Sequence, residues 1–180
     1  MKEKLHGRLC EQTEGSLAIV CTLLEKARFK HILELGSGEG GFTAELAFFI
    51  QKQSLDCSIV SLDEDDRNNT KTFLDELAEQ DFPVQFRQET FVDQPERLEK
   101  YFVRSGPVLV LCDTIKKWNE LDIVANWLES GDYLMSHDWG NDPVSGGITE
   151  EQAKEIEARG FERIEPALWA EYYWICFRKI

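Results

Sequence analysis

Apolar residues recur along this chain with two alternating periods. From Leu17 to Arg28 they fall at Leu17, Val20, Cys21 and Leu24, the spacing of one helical face. His31-Ile32-Leu33-Glu34-Leu35 then predicts a short buried strand that runs into glycines. Phe42, Leu46, Phe49 and Ile50 return to the helical period, and Cys57–Leu62 predicts a second strand that closes on Asp63-Glu64-Asp65-Asp66. Phe73, Leu74 and Leu77 mark a further helix, and Val84–Arg87 a third strand after Pro83.

The alternation continues through the second half. Leu98 and Phe102 predict a helix, and Val108–Cys112 is a strongly apolar fourth strand. Leu121, Val124, Ala125 and Leu128 predict a helix that stops at Gly131, a residue suited to helix C-termini. Tyr133–Ser136 reads as a fifth strand. Thr149-Glu150-Glu151-Gln152 has the spacing of a capping box and opens a last helix, which Gly160 closes.

Strands that alternate with helices imply parallel pairing in a doubly wound sheet. The end of the chain breaks that rule. Phe161–Ile164 and Tyr172–Arg178 are two strand-like runs joined by a short link that contains Pro166. A parallel crossover needs about a dozen residues or more, so the last strand is expected to run antiparallel. The expected fold is α/β: a three-layer, Rossmann-like, doubly wound sheet of seven strands with the last one antiparallel. With no linker or repeat in view, residues 1–180 are expected to form a single domain.

Composition narrows the function classes. The 180 residues are 42% hydrophobic and 30% charged, the balance of a globular protein. No apolar run reaches the roughly 20 residues of a membrane span, and the start Met1-Lys2-Glu3-Lys4-Leu5-His6 lacks the apolar stretch of a secretory signal. No membrane partner and a cytoplasmic location are therefore expected. A net charge of −14 leaves little material for the basic face that a nucleic acid requires. The five cysteines are scattered without a Cys-x-x-Cys pair, and read as buried thiols in a reducing compartment.

Candidate chemistry begins at Glu34-Leu35-Gly36-Ser37-Gly38-Glu39-Gly40-Gly41. Gly36, Gly38 and Gly41 satisfy G-x-G-x-x-G between a strand and a helix, where glycines let the backbone approach a ligand and the helix start offers free N–H groups. Several nucleotide cofactors use that pattern. A nicotinamide-dependent oxidoreductase, with Asp63 on the ribose, is one reading. Against it stands Glu34, a carboxylate that would repel a pyrophosphate but suits a ligand bearing an ammonium and a sulfonium.

Glu-x-Gly-x-Gly-x-Gly, a helix ahead of the first strand and the closing antiparallel hairpin together resemble the class I S-adenosylmethionine-dependent methyltransferases, over essentially the whole chain. The resemblance implies S-adenosylmethionine as cofactor. Gly36, Ser37, Gly38 and Gly40 would form the backbone floor under its methionine part, with Glu34 near the amino group. Asp63 would take both ribose hydroxyls, and Glu89 would read the adenine. The plainer alternative makes Glu34 and Asp63 exposed acids near strand ends.

The later strand ends carry Asp113-Thr114-Ile115-Lys116 and His137-Asp138-Trp139. They resemble the divalent-cation site of the catechol O-methyltransferase type, and that of the cephalosporin hydroxylase and macrocin O-methyltransferase type. The resemblance implies Asp113, His137 and Asp138 as metal ligands for Mg2+ or another divalent cation. It also implies Lys116 as a general base, three residues after the acid. A bound Mg2+ would lower the pKa of an acceptor hydroxyl. His137 stands where those families carry a carboxylate, and imidazole suits softer metals better than Mg2+. Three outcomes stay open: a weakened Mg2+ site, a different metal, or no metal with His137 as general base.

The expected function is methyl transfer to a small-molecule acceptor at oxygen, with Asp113, Lys116 and His137 as catalytic residues. A methyltransferase-like binding protein without catalysis is the alternative that keeps the fold. Trp118, Trp139 and Trp169 are candidate pocket walls, and Gly140–Gly147 a candidate lid. The N-terminal segment is short for a cap, which leaves room for a homodimer partner to complete the site.

Overall fold

The computed structural model describes residues 3–5, 8–10, 12, 14–66, 69–90, 94–102, 106–140 and 147–180. Residues 141–146, which make up most of the expected lid, lie outside them. The chain forms two compact units, Met1–Thr90 and Phe91–Ile180.

In the first unit a two-stranded antiparallel hairpin, β1 (Glu3–Leu5) and β2 (Arg8–Cys10), precedes helix α1 (Glu14–Ala27). Three parallel strands follow: β3 (His31–Leu35), β4 (Ser58–Asp63) and β5 (Val84–Gln88), in the order β5-β4-β3. Between them run α2 (Gly41–Lys52) and α3 (Thr70–Glu79). Ile32, Leu33, Glu34 and Leu35 are all buried, as expected of a parallel strand covered on both faces. On β5 only Val84 and Phe86 point inward, and Gln85 and Arg87 are exposed. That alternation is what a half-covered strand requires.

The second unit starts with a 3-10 helix (Pro95–Tyr101), the tighter form of the helix that Leu98 and Phe102 predict. Then come β6 (Val108–Cys112), α4 (Lys117–Val124), β7 (Tyr133–His137), α5 (Glu150–Glu157), β8 (Phe161–Arg163), α6 (Pro166–Ala170) and β9 (Trp174–Lys179). The strand order is β6-β7-β9-β8, with β6 and β7 parallel and β9 antiparallel to both of its neighbours. The strands β3 to β9 are the seven of the expected Rossmann-like sheet, and the last is antiparallel as expected.

The reason lies in the link after β8. It holds only the short helix α6, with Pro166 at its start, which is too little chain to cross a sheet face. The capping box is present as the sequence suggests: Thr149 N–H donates to Gln152 Oε1 at 2.9 Å, and Gln152 N–H to Thr149 Oγ1 at 3.3 Å. All five side chains of β6 are buried, and Leu121, Leu134, Ile156, Trp174 and Phe177 share the core of this unit. Trp169 is buried as well, which makes it core rather than pocket rim.

Cys57, Cys112 and Cys176 are buried and Cys21 partly so, all as free thiols. Burial pushes the Cys21 and Cys57 thiols up to about 12, so neither is a reactive thiolate at neutral pH. Among the described residues, no helix is long and apolar enough to cross a membrane.

Candidate functional site

In the first unit the carboxyl ends of β3, β4 and β5 bring the expected cofactor residues together. The turn after β3 places Gly36, Gly38 and Gly40 at φ 95°, 55° and 78°. Gly41 is the first residue of α2 and lies outside the left-handed region. The glycines that the backbone needs are thus those of Glu-x-Gly-x-Gly-x-Gly, at every second position. Gly40 is needed twice over, because a Cβ there would stand 3.1 Å from Thr70 Cγ2. Over Gly38 a Cβ would meet nothing within 4 Å, so the turn presents open space at that point.

Both acids are buried rather than exposed: Glu34 retains 3% of its surface and Asp63 8%. Register explains Glu34. It pairs with Ser61 across β3 and β4, and Ser61 Oγ donates to Glu34 Oε2 at 2.5 Å. Thr43 Oγ1, from the first turn of α2, donates to the same oxygen at 2.5 Å. Two short hydroxyl bonds satisfy a carboxylate that would otherwise be costly to bury.

Asp63 closes the turn. Its Oδ2 accepts the N–H groups of Ser37 and Gly38, each at 3.0 Å, and its Oδ1 accepts the N–H of Asp65 at 3.1 Å. Glu89 is half-buried, and its N–H donates to the Asp63 carbonyl at 3.0 Å, which latches the end of β5 to the end of β4. The sequence reading missed Thr43, Ser61 and Thr70. Thr70 Oγ1 donates to the Gly38 carbonyl at 2.8 Å and ties α3 to the turn. No motif flags these hydroxyls; only strand register and helix placement reveal them.

In the second unit the ends of β6 and β7 bring Asp113, His137 and Asp138 together, with one potential ligand atom from each within 4.8 Å of the others. His137 Nδ1 lies 3.3 Å from Asp113 Oδ1 and 3.4 Å from Asp138 Oδ1. Its ring packs on the buried Trp174, the residue opposite it on β9, with centroids 5.1 Å apart. Asp138 sits at φ 61°, a left-handed conformation that Asp tolerates better than most residues.

The lysine of this cluster is Lys117, not Lys116. Lys116 is the exposed residue that precedes α4. Lys117 is buried, and its Nζ lies 2.9 Å from Asp138 Oδ2 and 3.4 Å from Asp113 Oδ1. Burial alone would lower its pKa. The charge of Asp113 and the hydrogen bond and charge of Asp138 outweigh that, so its pKa is raised and it stays protonated. The ammonium is thus held between the two carboxylates. Lys117 stands four positions after Asp113, but Asp113 lies ahead of α4, so helical spacing does not flag the pair.

Trp139 is half-buried beside this cluster. The Arg163 guanidinium lies over its ring at 5.5 Å, and an isolated β-bridge pairs Trp139 with Ile148.

The fold recurs in solved structures. The apo structure of CmcI-N160 matches with a TM-score of 0.74 at 17% identity, over 99% of this chain and 76% of that chain. The CmcI-D160 Mg-SAM structure matches with a TM-score of 0.68 at 17% identity, over 100% and 77%. An O-methyltransferase family protein from Burkholderia thailandensis matches with a TM-score of 0.60 at 13% identity, over 91% and 55%. Likeness at these identities establishes a shared fold. No protein-family model matches the sequence, and no curated protein does.

Proposed function

We propose that this chain is an S-adenosylmethionine-dependent methyltransferase that acts on a hydroxyl of a small molecule. The observation that carries the reading is the turn itself: left-handed glycines at 36, 38 and 40 behind the buried carboxylate Glu34. A pyrophosphate set against that acid would be repelled, whereas a cationic amino acid part would be attracted. The CmcI-D160 structure, which holds Mg-SAM on the same fold, supports the same choice.

Gly36, Ser37, Gly38 and Gly40 would hold the methionine part, Asp63 the ribose and Glu89 the adenine. When bound, S-adenosylmethionine supplies an electrophilic methyl group, and its transfer to oxygen leaves the carbon–sulfur electron pair on sulfur. His137 takes the hydroxyl proton at Nε2. The two carboxylates beside Nδ1 favour the tautomer that keeps its proton there and leaves Nε2 free to accept. Asp113 and Asp138 thus orient the base and stabilise the imidazolium that forms, as in other carboxylate–imidazole pairs.

Asp113, His137 and Asp138 are also the residues that would hold a divalent cation, whose chemistry when bound would be to lower the pKa of the acceptor hydroxyl. In the structure the positive charge on them is the Lys117 ammonium.

The test is release of S-adenosylhomocysteine when the protein is incubated with S-adenosylmethionine and a panel of phenols, catechols and sugar alcohols. Turnover on any member supports the reading. Cofactor binding without turnover on the whole panel would instead support a methyltransferase-like binding protein.

A further inference from the structure

Lys117 opens α4, a helix that follows directly on the loop after β6, yet it retains only 5% of its surface. Its ammonium meets three oxygens from three residues: Asp138 Oδ2 at 2.9 Å, Asp113 Oδ1 at 3.4 Å and the Thr114 carbonyl at 2.6 Å. Three acceptors for three N–H bonds is the full complement of an ammonium held in place. A solvated surface lysine has no such set.

The acids are shared in a definite way. Asp113 Oδ1 faces both Lys117 Nζ and His137 Nδ1, while Asp138 gives Oδ2 to the lysine and Oδ1 to the histidine. A divalent cation on this pair of carboxylates would need the same oxygens. It would meet the Lys117 ammonium at close range.

We infer that Lys117 is the resident cation of this cluster. It takes the place of a divalent metal and fixes Asp113 and Asp138 where they orient His137, so methyl transfer proceeds without added metal. Lys117 is a positioning residue, and the inference rests on the methyl-transfer reading of the same site.

The experiment titrates Mn2+ into the full chain by electron paramagnetic resonance, with calorimetric titration of S-adenosylhomocysteine on the same preparation. Expected are no saturable Mn2+ binding below about 1 mM in the wild type and a gain of affinity of about tenfold or more in Lys117→Met. That gain should vanish in Lys117→Met/Asp138→Asn. A purely structural lysine would not create a metal site when removed. Micromolar Mn2+ binding by the wild type overturns the inference, and so does a folded Lys117→Met that still ignores Mn2+. If Lys117→Met does not fold, the wild-type titration decides alone. Failure of S-adenosylhomocysteine to bind is a separate outcome, and it removes the methyl-transfer reading whatever Mn2+ does.

Discussion

Asp63 Oδ2 accepts the backbone N–H of Gly38 at 3.0 Å, so the acid that ends β4 holds the turn that follows β3. The same oxygen accepts the Ser37 N–H, and removing the carboxylate would strand both donors. Asp63→Ala is expected to lower unfolding stability by about 2–4 kcal/mol, read from denaturant melts. S-adenosylhomocysteine affinity should fall by about 10- to 100-fold in calorimetry, since two ribose hydroxyls lose a charged acceptor.

Gly38 and Gly40 should respond differently to alanine. Both have positive φ, which costs a residue with a Cβ about 1–2 kcal/mol. At Gly40 the new methyl also meets Thr70 Cγ2 at 3.1 Å and Leu74 at 3.4 Å, so the loss of stability should be the larger. At Gly38 the methyl enters open space. Gly38→Ala should therefore lose only the ~1–2 kcal/mol of its backbone conformation, yet lose cofactor affinity more than that stability loss explains. Equal behaviour of the two variants would argue against a ligand over Gly38.

Much of this was legible in the sequence, for physical reasons. Buried parallel strands such as Val108–Cys112 are nearly all apolar, and the link after β8 is too short for a crossover, so the strand count and the reversed last strand followed. Boundaries were harder. β9 begins at Trp174 rather than Tyr172, because Tyr173 takes φ 59° and cannot continue a strand. The hairpin of β1 and β2 has three residues on each side, too few to show a period. In the second unit, a spacing borrowed from a resembling family pointed to Lys116. The backbone there is not yet helical, and the side chain that turns inward is that of the first helical residue, Lys117. The Ser61 hydroxyl on Glu34 depends on register between strands, at a separation of 27 positions that no local pattern encodes.

His137→Ala tests the proton acceptor. General-base catalysis contributes about 10²–10⁴-fold, so kcat should fall by that range. S-adenosylhomocysteine affinity should be unchanged, because the residues proposed to hold the cofactor are those of the 36–40 turn with Asp63 and Glu89. A loss of cofactor affinity with kcat preserved would contradict the assignment.

Stability should carry a signature of Glu150 in acid. Arg163 makes two hydrogen bonds to its carboxylate, at 2.9 and 2.7 Å, and these hold its pKa below the ordinary 4.5. A depressed carboxylate stabilises the fold above its unfolded pKa and loses that contribution as pH falls through the lower folded value. Glu150→Gln should therefore be less stable than wild type at pH 7 and indistinguishable from it near pH 2. The pair is partly exposed, so the difference at pH 7 should be small and should shrink with added salt.

The central claim is that the turn from Glu34 to Gly41 holds a sulfonium cofactor, and calorimetry on the full chain tests it most directly. S-adenosylhomocysteine should bind with one-to-one stoichiometry, its affinity should fall by about 10- to 100-fold in Asp63→Ala, and NADH should give no heat. Binding of NADH in place of S-adenosylhomocysteine, or of neither, would contradict the account.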